Sequence, residues 1–439
     1  MWSALLRAWG FPFESVGSSE HVSKAVTTLI VPASLAGSVR TGATVLAVGG
    51  GRTVGDVLRF EPSADALTAP TLEDVVDSAA GALETAAPAG LVAIANWPFG
   101  RRAALVVDGD VDHPTGVDPE CSRYVAPAIE TAKRAGFSAY GIFVAGANVE
   151  AEPSSFPSGT EYYNHSFSHP YSHWNDRPWE SLGDAEMETE ISRCRSAFER
   201  ALGVDDHAMF RLPHFQLEAS DRTYAILDRI GYLADSSIGG NVSVTGGLPF
   251  HPAIDPWSER PEDAAFARTD PEPARNRALL QVPISTDPTD PAFPHGCCSY
   301  NTLGEGVRNR TADPAAYESV LQEVLDRAVA RRSLAHLFID PPDAGYGRLP
   351  GDRADYAAGV ERWMRRAVGR SDLSILSFAG LVSWWMQREA AVERLRWRVE
   401  NGRMRITLPE APAGTALSVL APTEAGGGWS TVALESEAA

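Results

Sequence analysis

Residues 103–114 decide the fold of this chain, and they read Ala-Ala-Leu-Val-Val-Asp-Gly-Asp-Val-Asp-His-Pro. The run of apolar residues predicts a buried strand. Asp108, Asp110 and Asp112 then occupy alternate positions immediately after that run. Carboxylates this close raise one another's pKa unless a cation or an arginine offsets their charge. The stretch therefore predicts either an acidic turn or a catalytic site at the end of a strand.

Apolar runs and helical patterns alternate from this stretch to about residue 390. The predicted strands cover residues 103–108, 139–144, 160–165, 208–211, 231–235, 279–284, 334–340 and 373–376. Helical patterns lie between most of these strands, over residues 119–135, 180–202, 219–230 and 314–331. Seven or eight βα repeats over roughly 250 residues favour a distorted (β/α)7-8 barrel over an open sheet. In such barrels the functional residues lie at the carboxyl ends of the strands.

Two smaller regions flank this predicted α/β barrel. The first contains apolar runs at 27–32 and 43–49 and is typical of a small N-terminal α/β domain, flavodoxin-like or amidotransferase-like. The last region alternates with period two around Asn401-Gly402, which predicts a C-terminal β appendage. The predicted domains are residues 1–95, 96–390 and 391–439.

Charge and composition exclude several classes of partner. The net charge of −19 argues against nucleic acid and anionic membrane surfaces because both would repel the chain. No run of about eighteen apolar residues occurs, so the sequence predicts no integral membrane span. Arg7 interrupts the apolar start, which favours a first helix over a signal peptide and hence a cytoplasmic location. Nearly all the positive charge is arginine, which suggests a bacterial or archaeal source.

Two histidines mark the end of the third predicted strand. His165 ends the run 160–165, and His169 follows four residues later. On a helical turn this spacing places two imidazoles on one face, which suits two ligands of a single zinc ion. His173 lies further along and is expected at the rim of a pocket. The four cysteines contain no Cys-x-x-Cys pair, so they predict neither a structural zinc site nor a disulfide framework.

Three further strands carry single polar residues. Arg211 directly follows an apolar strand, where it can hold a carboxylate by a bidentate pair. Asp235 adds a carboxylate at another strand end, and His336 lies inside the apolar run 334–340. Each residue alone is also typical of an ordinary surface or core position. Their significance therefore depends on whether they share one site.

Taken in order, these segments resemble the five motifs of the polysaccharide deacetylase (NodB-homology) family, carbohydrate esterase family 4. The matching segments are Asp110-Val-Asp112 with His113-Pro114, His165-Ser166-x-x-His169, Arg211-x-Pro213, Asp235, and Leu334-x-His336. The family's first motif usually reads Thr-Phe-Asp-Asp-Gly, so Asp108 and Asp110 form an alternative acidic pair. The segment between the fourth and fifth motifs is longer than usual, and residues 249–275 are expected to form an inserted loop at the pocket mouth.

The resemblance implies a hydrolase that removes an N-acyl group, usually N-acetyl, from an amino sugar. The implied partner is a carbohydrate, either an N-acylated amino sugar or an oligosaccharide, in a glycan or a glycan precursor. Two rival hypotheses are a catalytically silent carbohydrate-binding protein on the same scaffold and a hydrolase of another linear amide.

The resemblance also implies a role for each motif residue. One divalent metal ion, zinc in most members with cobalt, nickel or iron as alternatives, would bind to Asp112, His165 and His169. Asp110, held by Arg211, would be the general base. His336, kept cationic by Asp235, would protonate the leaving amine.

Overall fold

The chain forms two compact units in the parts that the structure describes. The computed structural model describes residues 28–32, 44–48, 57–60, 93–112, 121–170, 178–213, 220–238, 248–249, 279–285, 314–341, 353–400, 403–407, 417–422 and 429–433. Arg102–Trp384 make up the larger unit, and Trp2–Arg101 with Trp385–Ala439 make up the other.

Strands and α-helices alternate along most of the described part of the larger unit. In chain order, the strands are β1 (Thr28–Pro32), β2 (Thr44–Val48), β3 (Val57–Phe60), β4 (Ala93–Ile94), β5 (Ala103–Val111), β6 (Tyr140–Val144), β7 (Tyr162–Asn164), β8 (Met209–Phe210), β9 (Ala234–Asp235), β10 (Leu280–Gln281), β11 (Leu334–Phe338), β12 (Leu373–Ile375), β13 (Arg396–Glu400), β14 (Arg403–Thr407), β15 (Ser418–Pro422) and β16 (Trp429–Ala433). The helices are α1 (Val125–Arg134), α2 (Gly146–Ala151), α3 (Asp184–Ala201), α4 (Ser220–Arg229), α5 (Pro314–Ala330), α6 (Arg353–Val368) and α7 (Phe378–Arg394).

The larger unit is built on a curled sheet of parallel strands. The strand order is β10-β9-β8-β7-β6-β5-β11, and β12 also pairs with β5. On one edge of β5, β12 pairs with its first residues and β6 with its last, while β11 runs along the other edge. The Ser285 amide, just after β10, donates a hydrogen bond of 2.8 Å to the main-chain oxygen of His336 in β11. This bond joins the two ends of the strand order, and the predicted distorted barrel is confirmed.

The alternation of side chains along β5 separates the core from the barrel interior. Leu105, Val107 and Val111 pack into a hydrophobic core with residues of α1, α3, α5 and α6. Each such buried side chain stabilises the fold by about 1.5–3 kcal/mol. The residues between them, including Asp108 and Asp110, therefore face the opposite side, which is the interior of the barrel.

Two glycines allow close approaches around β5. A Cβ at Gly109 would lie 2.3 Å from the main-chain oxygen of Ile339, so β11 could not come this near any larger residue. A Cβ at Gly141, on β6, would lie 2.5 Å from the ring of Tyr163. Gly141 pairs with Asp108 in register, so this space lies on the interior face beside the carboxylates.

The other unit contains three small sheets. β1, β2 and β3 form a parallel sheet, which confirms the strands predicted at 27–32 and 43–49. β13 and β14 pair antiparallel with Glu400 opposite Arg403, in agreement with the period-two pattern of the predicted β appendage. β15 pairs with both β16 and β4. The three-domain division of the sequence stays a prediction.

Some predicted features lie outside the described residues. These are the first helix, most of the inserted loop, and residues His113, Pro114 and His173. Within the described segments, every helix is too short or too polar to cross a lipid bilayer.

Candidate active site

Three predicted ligands, Asp112, His165 and His169, bring their donor atoms together at the carboxyl ends of β5 and β7. Oδ1 of Asp112 lies 3.4 Å from Nε2 of His165 and 3.2 Å from Nε2 of His169. The two Nε2 atoms are 3.1 Å apart. Ligands about 2.0–2.1 Å from a tetrahedral ion lie about 3.3 Å from one another. The three atoms are therefore spaced to hold one metal ion.

The hydrogen bond at the far side of the His165 ring fixes which nitrogen faces this site. Nδ1 lies 2.9 Å from the main-chain oxygen of Arg211. A carbonyl oxygen can only accept, so Nδ1 carries a proton and Nε2 is left as the ligand atom. Burial lowers the pKa of His165, but the nearby carboxylates of Asp110 and Asp112 outweigh burial and raise it.

The segment between the two histidines has an unusual backbone. Ser166 has a φ of 65° and His169 a φ of 50°, in the left-handed region that costs non-glycine residues about 1–3 kcal/mol each. The Ser166 amide donates to Oδ1 of Asn164 at 2.9 Å, and the His169 amide donates to Oγ of Ser166 at 3.1 Å. These bonds hold His169 near His165, in a shape that a regular helical turn would not give.

Two acidic residues that the sequence analysis did not identify hold this loop from outside the barrel. Glu190, on α3, accepts hydrogen bonds from the amides of Phe167 at 3.1 Å and Ser168 at 2.7 Å. Asp206 accepts one from the Asn164 amide group at 3.0 Å. Asn148, on α2, donates to the main-chain oxygen of Asp112. None of these residues belongs to a motif, so only the fold reveals them.

Arg211 is fully buried and contacts two carboxylates beside the metal group, which comprises Asp112, His165 and His169. Nη1 is 2.7 Å from Asp110, Nη2 is 2.9 Å from Asp108, and Nε donates to the main-chain oxygen of Ser236 at 3.0 Å. Its guanidinium carbon lies 4.0 Å from the centre of the Phe143 ring. Burial lowers the pKa of Arg211, but Asp108 and Asp110 outweigh it and raise the pKa. The arginine therefore stays charged and bridges the two acids.

Asp110 occupies the position between the arginine and the metal group. Its Oδ2 lies 3.5 Å from Nε2 of His165, and its amide donates to Asp340 at 2.9 Å. Burial raises the pKa of Asp110, and Arg211 does not fully offset that effect. Both oxygens of Asp108 are used by Arg211 and His336 instead. The acid that joins the metal group is thus Asp112, and Asp108 lies deeper in the barrel.

The structure does not bring Asp235 to His336, in contrast to the predicted pairing. Asp235 stands in register with Phe210, whose ring packs against Trp179 and Tyr232 on the helical side of the sheet. Neighbouring residues on a strand face opposite sides, so Ser236 points inward and Asp235 outward. The Asp235 carboxylate accepts hydrogen bonds from the Ser237 amide at 3.0 Å and hydroxyl at 2.7 Å. Burial raises the pKa of Asp235 to about 7.

The carboxylate that meets His336 is Asp108. Nε2 of His336 lies 2.6 Å from Oδ2 of Asp108, and Nδ1 lies 3.1 Å from the main-chain oxygen of Pro283. The sequence pattern suggested Asp108 only as a partner of Asp110. The register of β5 and β11 places Phe338 opposite Asp108 and His336 opposite Val106, two residues earlier, so His336 and Asp108 meet on the interior face.

Comparison with known proteins adds solved structures but no sequence relative. No family model matches the chain, and no curated protein matches it. A Mycobacterium smegmatis protein named as a polysaccharide deacetylase is 15% identical, with a TM-score of 0.48 over 67% of this chain and 93% of that one. A family 4 carbohydrate esterase from Streptomyces lividans is also 15% identical, with a TM-score of 0.32 over 63% and 92%. A 4-alpha-glucanotransferase from Thermococcus litoralis is 10% identical, with a TM-score of 0.39 over 64% and 40%.

Two of these three structures carry the name of the family that the sequence motifs resemble. The glucanotransferase is named for a different reaction.

Proposed function

We propose that this protein is a metal-dependent hydrolase that removes an N-acyl group, most simply N-acetyl, from an amino sugar in a glycan or glycan precursor. One observation carries the proposal. The donor atoms of Asp112, His165 and His169 converge, and a carboxylate held by a buried arginine lies directly beside them. The five motifs that resemble the polysaccharide deacetylases supply the substrate class.

The donor set fits a catalytic rather than a structural metal ion. Two imidazoles and one carboxylate make three protein ligands, which leaves a position open on a four-coordinate ion. The side chain of Asp112 is 28% exposed, whereas His165 and His169 are buried, so the group opens to solvent on the Asp112 side. A divalent ion held there, zinc above all, would supply Lewis acidity towards an acyl oxygen.

Asp110 is the proposed general base. Its Oδ1 accepts from Arg211, which leaves Oδ2 on the side of the metal group to take a proton from an attacking water. Water adds to the acyl carbon, the carbon–nitrogen bond breaks, and the products are a carboxylate and a free amine. Arg211 fixes the direction of the carboxylate through the transfer, because its other donors are held by Asp108 and Ser236.

The contacts of the expected acid, His336, do not suit delivery of a proton to a substrate. It is fully buried, and both of its ring nitrogens contact acceptors of the protein itself. Asp235 does not contact it in the described part of the chain. Delivery of a proton to the leaving amine is therefore not assigned to His336.

Carboxylate release from a substrate panel tests the proposal. Purified protein would be offered N-acetylated and N-formylated amino sugars, their oligosaccharides and simple linear amides, with zinc, cobalt, nickel or iron and with a chelator. We expect metal-dependent release from at least one N-acylated sugar, and the preferred member names the substrate. Release from simple amides alone would favour the other linear amides. Binding of sugars without release, at full metal occupancy, would favour the silent carbohydrate-binding protein.

A further inference from the structure

His336 is held on every side in the interior of the barrel. Its side chain is 0% exposed. The ring lies against Phe378 with centroids 5.5 Å apart, and the main-chain amide donates to Oγ of Ser285 at 3.0 Å. A histidine that delivers a proton to a substrate must reach it, and this ring has no exposed edge from which to do so.

Both ring nitrogens of His336 face atoms that accept hydrogen bonds. Nδ1 faces the main-chain oxygen of Pro283 at 3.1 Å, and a carbonyl oxygen can only accept. Nε2 faces Oδ2 of Asp108 at 2.6 Å and Nη2 of Arg211 at 3.5 Å. Both ring nitrogens are therefore occupied by groups of the protein itself.

Asp108 joins this histidine to the arginine of the site. Its second oxygen accepts from Nη2 of Arg211 at 2.9 Å, so one buried carboxylate bridges Arg211 and His336. Burial raises the pKa of Asp108, but Arg211 and His336 together outweigh it and leave the pKa lowered. Asp108 therefore stays ionised between two partners, which a buried carboxylate requires.

We propose that Asp108 and His336 are positioning residues, which lock Arg211 so that its Nη1 holds Asp110 in place, and that His336 donates no proton to the substrate. The proposal rests on the proposed function for the role of Asp110. The chain of contacts runs from Pro283 through His336, Asp108 and Arg211 to Asp110. Asp108, which lies outside the five motifs, thereby becomes a residue of the site.

Nuclear magnetic resonance of the metal-free protein tests the contacts of His336 without any turnover. The protein would be labelled with ¹⁵N-histidine, and the His336 signals would be assigned by their loss in the His336→Gln variant. We expect a slowly exchanging proton on Nδ1, because the Pro283 carbonyl can only accept a hydrogen bond. Asp108→Asn should shift the Nε2 signal, whereas the matched variant Asp235→Asn should leave both ring signals in place. A ring proton that exchanges as fast as that of an exposed histidine, or signals that respond to Asp235→Asn and not to Asp108→Asn, would overturn the proposal.

A comparison of two substrates separates positioning from proton donation. An amide needs its leaving nitrogen protonated, whereas 4-nitrophenyl acetate loses a stable anion and needs no acid. If Arg211 is displaced, both reactions lose the aligned base. We therefore expect Asp108→Asn and His336→Gln to lower kcat/KM for both substrates by one common factor, on the order of 100-fold, at unchanged metal affinity.

Loss of amide hydrolysis alone, with the ester reaction intact, would show that His336 is the acid and would refute the proposal. If the wild-type protein hydrolyses neither substrate, the proposed function fails, and the resonance experiment still decides whether Asp108 holds His336. Circular dichroism and a melting curve on each variant would show that it folds. Asp108→Asn keeps the size of the side chain and gives the same test should His336→Gln unfold.

Discussion

Asp108, Asp110 and Asp112 share one face of a strand, yet each has a different partner. Asp112 joins two histidines, Asp110 meets Arg211 beside them, and Asp108 lies between Arg211 and His336. The exposure of the three carboxylates thus falls from the partly exposed Asp112 to the fully buried Asp108. At this scale the function depends on which neighbour balances each charge, because like charges this close could not otherwise all remain ionised.

Removal of the Asp112 carboxylate should abolish tight metal binding. Asp112→Ala leaves two imidazoles without the only charged ligand of the group, so we expect the affinity for zinc to fall by more than about 100-fold. Competition with a chromogenic chelator would measure it. Asp205→Ala is the matched control, because Asp205 is 71% exposed and pairs only with His207. An Asp112→Ala protein that keeps the wild-type affinity would place the metal elsewhere.

Asp235 should make stability depend on pH. Its pKa is about 7 in the folded chain against 3.8 for an ordinary aspartate, so the unfolded chain loses this proton first as pH rises. Between these values the folded state loses about 1.4 kcal/mol per pH unit, to a total of about 4 kcal/mol above pH 7. Asp235→Asn removes this loss.

Denaturant unfolding of both proteins from pH 4 to pH 8 tests this expectation. The difference in unfolding free energy should shift in favour of Asp235→Asn as the pH rises towards 7, and then stay constant. A difference that does not change with pH would mean that the buried carboxyl has an ordinary pKa.

At the scale of elements, the metal site depends on how α3 supports the loop after β7. Glu190 accepts two consecutive main-chain amides of that loop, next to residues of positive φ. The helix therefore stabilises a backbone shape that the loop sequence does not favour by itself. The loop in turn sets the distance between His165 and His169.

Glu190→Ala should loosen the metal site without removing a ligand. We expect metal affinity to fall by about 10–100-fold, the range for partners that orient ligands. Glu188→Ala on the same helix is the control, since Glu188 only pairs with the half-exposed Arg229 and should change stability by less than about 1 kcal/mol. Titration with zinc would compare the three proteins. Equal affinities would show that the loop holds its shape without Glu190.

The close approach of β11 to β5 should make Gly109 intolerant of substitution. A Cβ there would overlap the main-chain oxygen of Ile339 at 2.3 Å, so the strands must separate. We expect Gly109→Ala to cost about 1–3 kcal/mol of unfolding free energy and to weaken the contact between Asp108 and His336. Gly369→Ala, where the nearest main-chain oxygen is 3.5 Å away, should have little effect. Similar stabilities of the two variants in denaturant unfolding would contradict this packing.

At the scale of the whole molecule, the pattern of the sequence predicts the barrel because it is local. Each predicted strand from 103–108 to 373–376 has a counterpart among β5–β12, since apolar runs and helical periods are properties of neighbouring residues. His165 and Arg211 lie directly after β7 and β8, at the predicted strand ends. The predicted inserted loop, residues 249–275, lies almost wholly outside the described residues.

The pairing of side chains across the barrel is what the sequence does not reveal. Asp108 and His336 are 228 residues apart, and the amide of Asp110 and Asp340 are 230 apart. A motif gives the order of polar residues but not the face on which each stands. Asp235 illustrates this, because a shift of one position along β9 turns its carboxylate away from the interior. The supports from Glu190 and Asp206 leave no local signal at all.

Hydrolysis by wild-type and Asp110→Asn proteins of equal metal content shows whether Asp110 is the base of a metal-dependent hydrolase. Acetate release from an N-acetylated amino sugar oligosaccharide would be measured beside the zinc content of the same samples. We expect metal-dependent release by the wild type and loss of turnover in Asp110→Asn at full zinc occupancy, because the variant keeps the ligands and loses the base. Undiminished release by Asp110→Asn, or release that survives complete removal of metal, would contradict it.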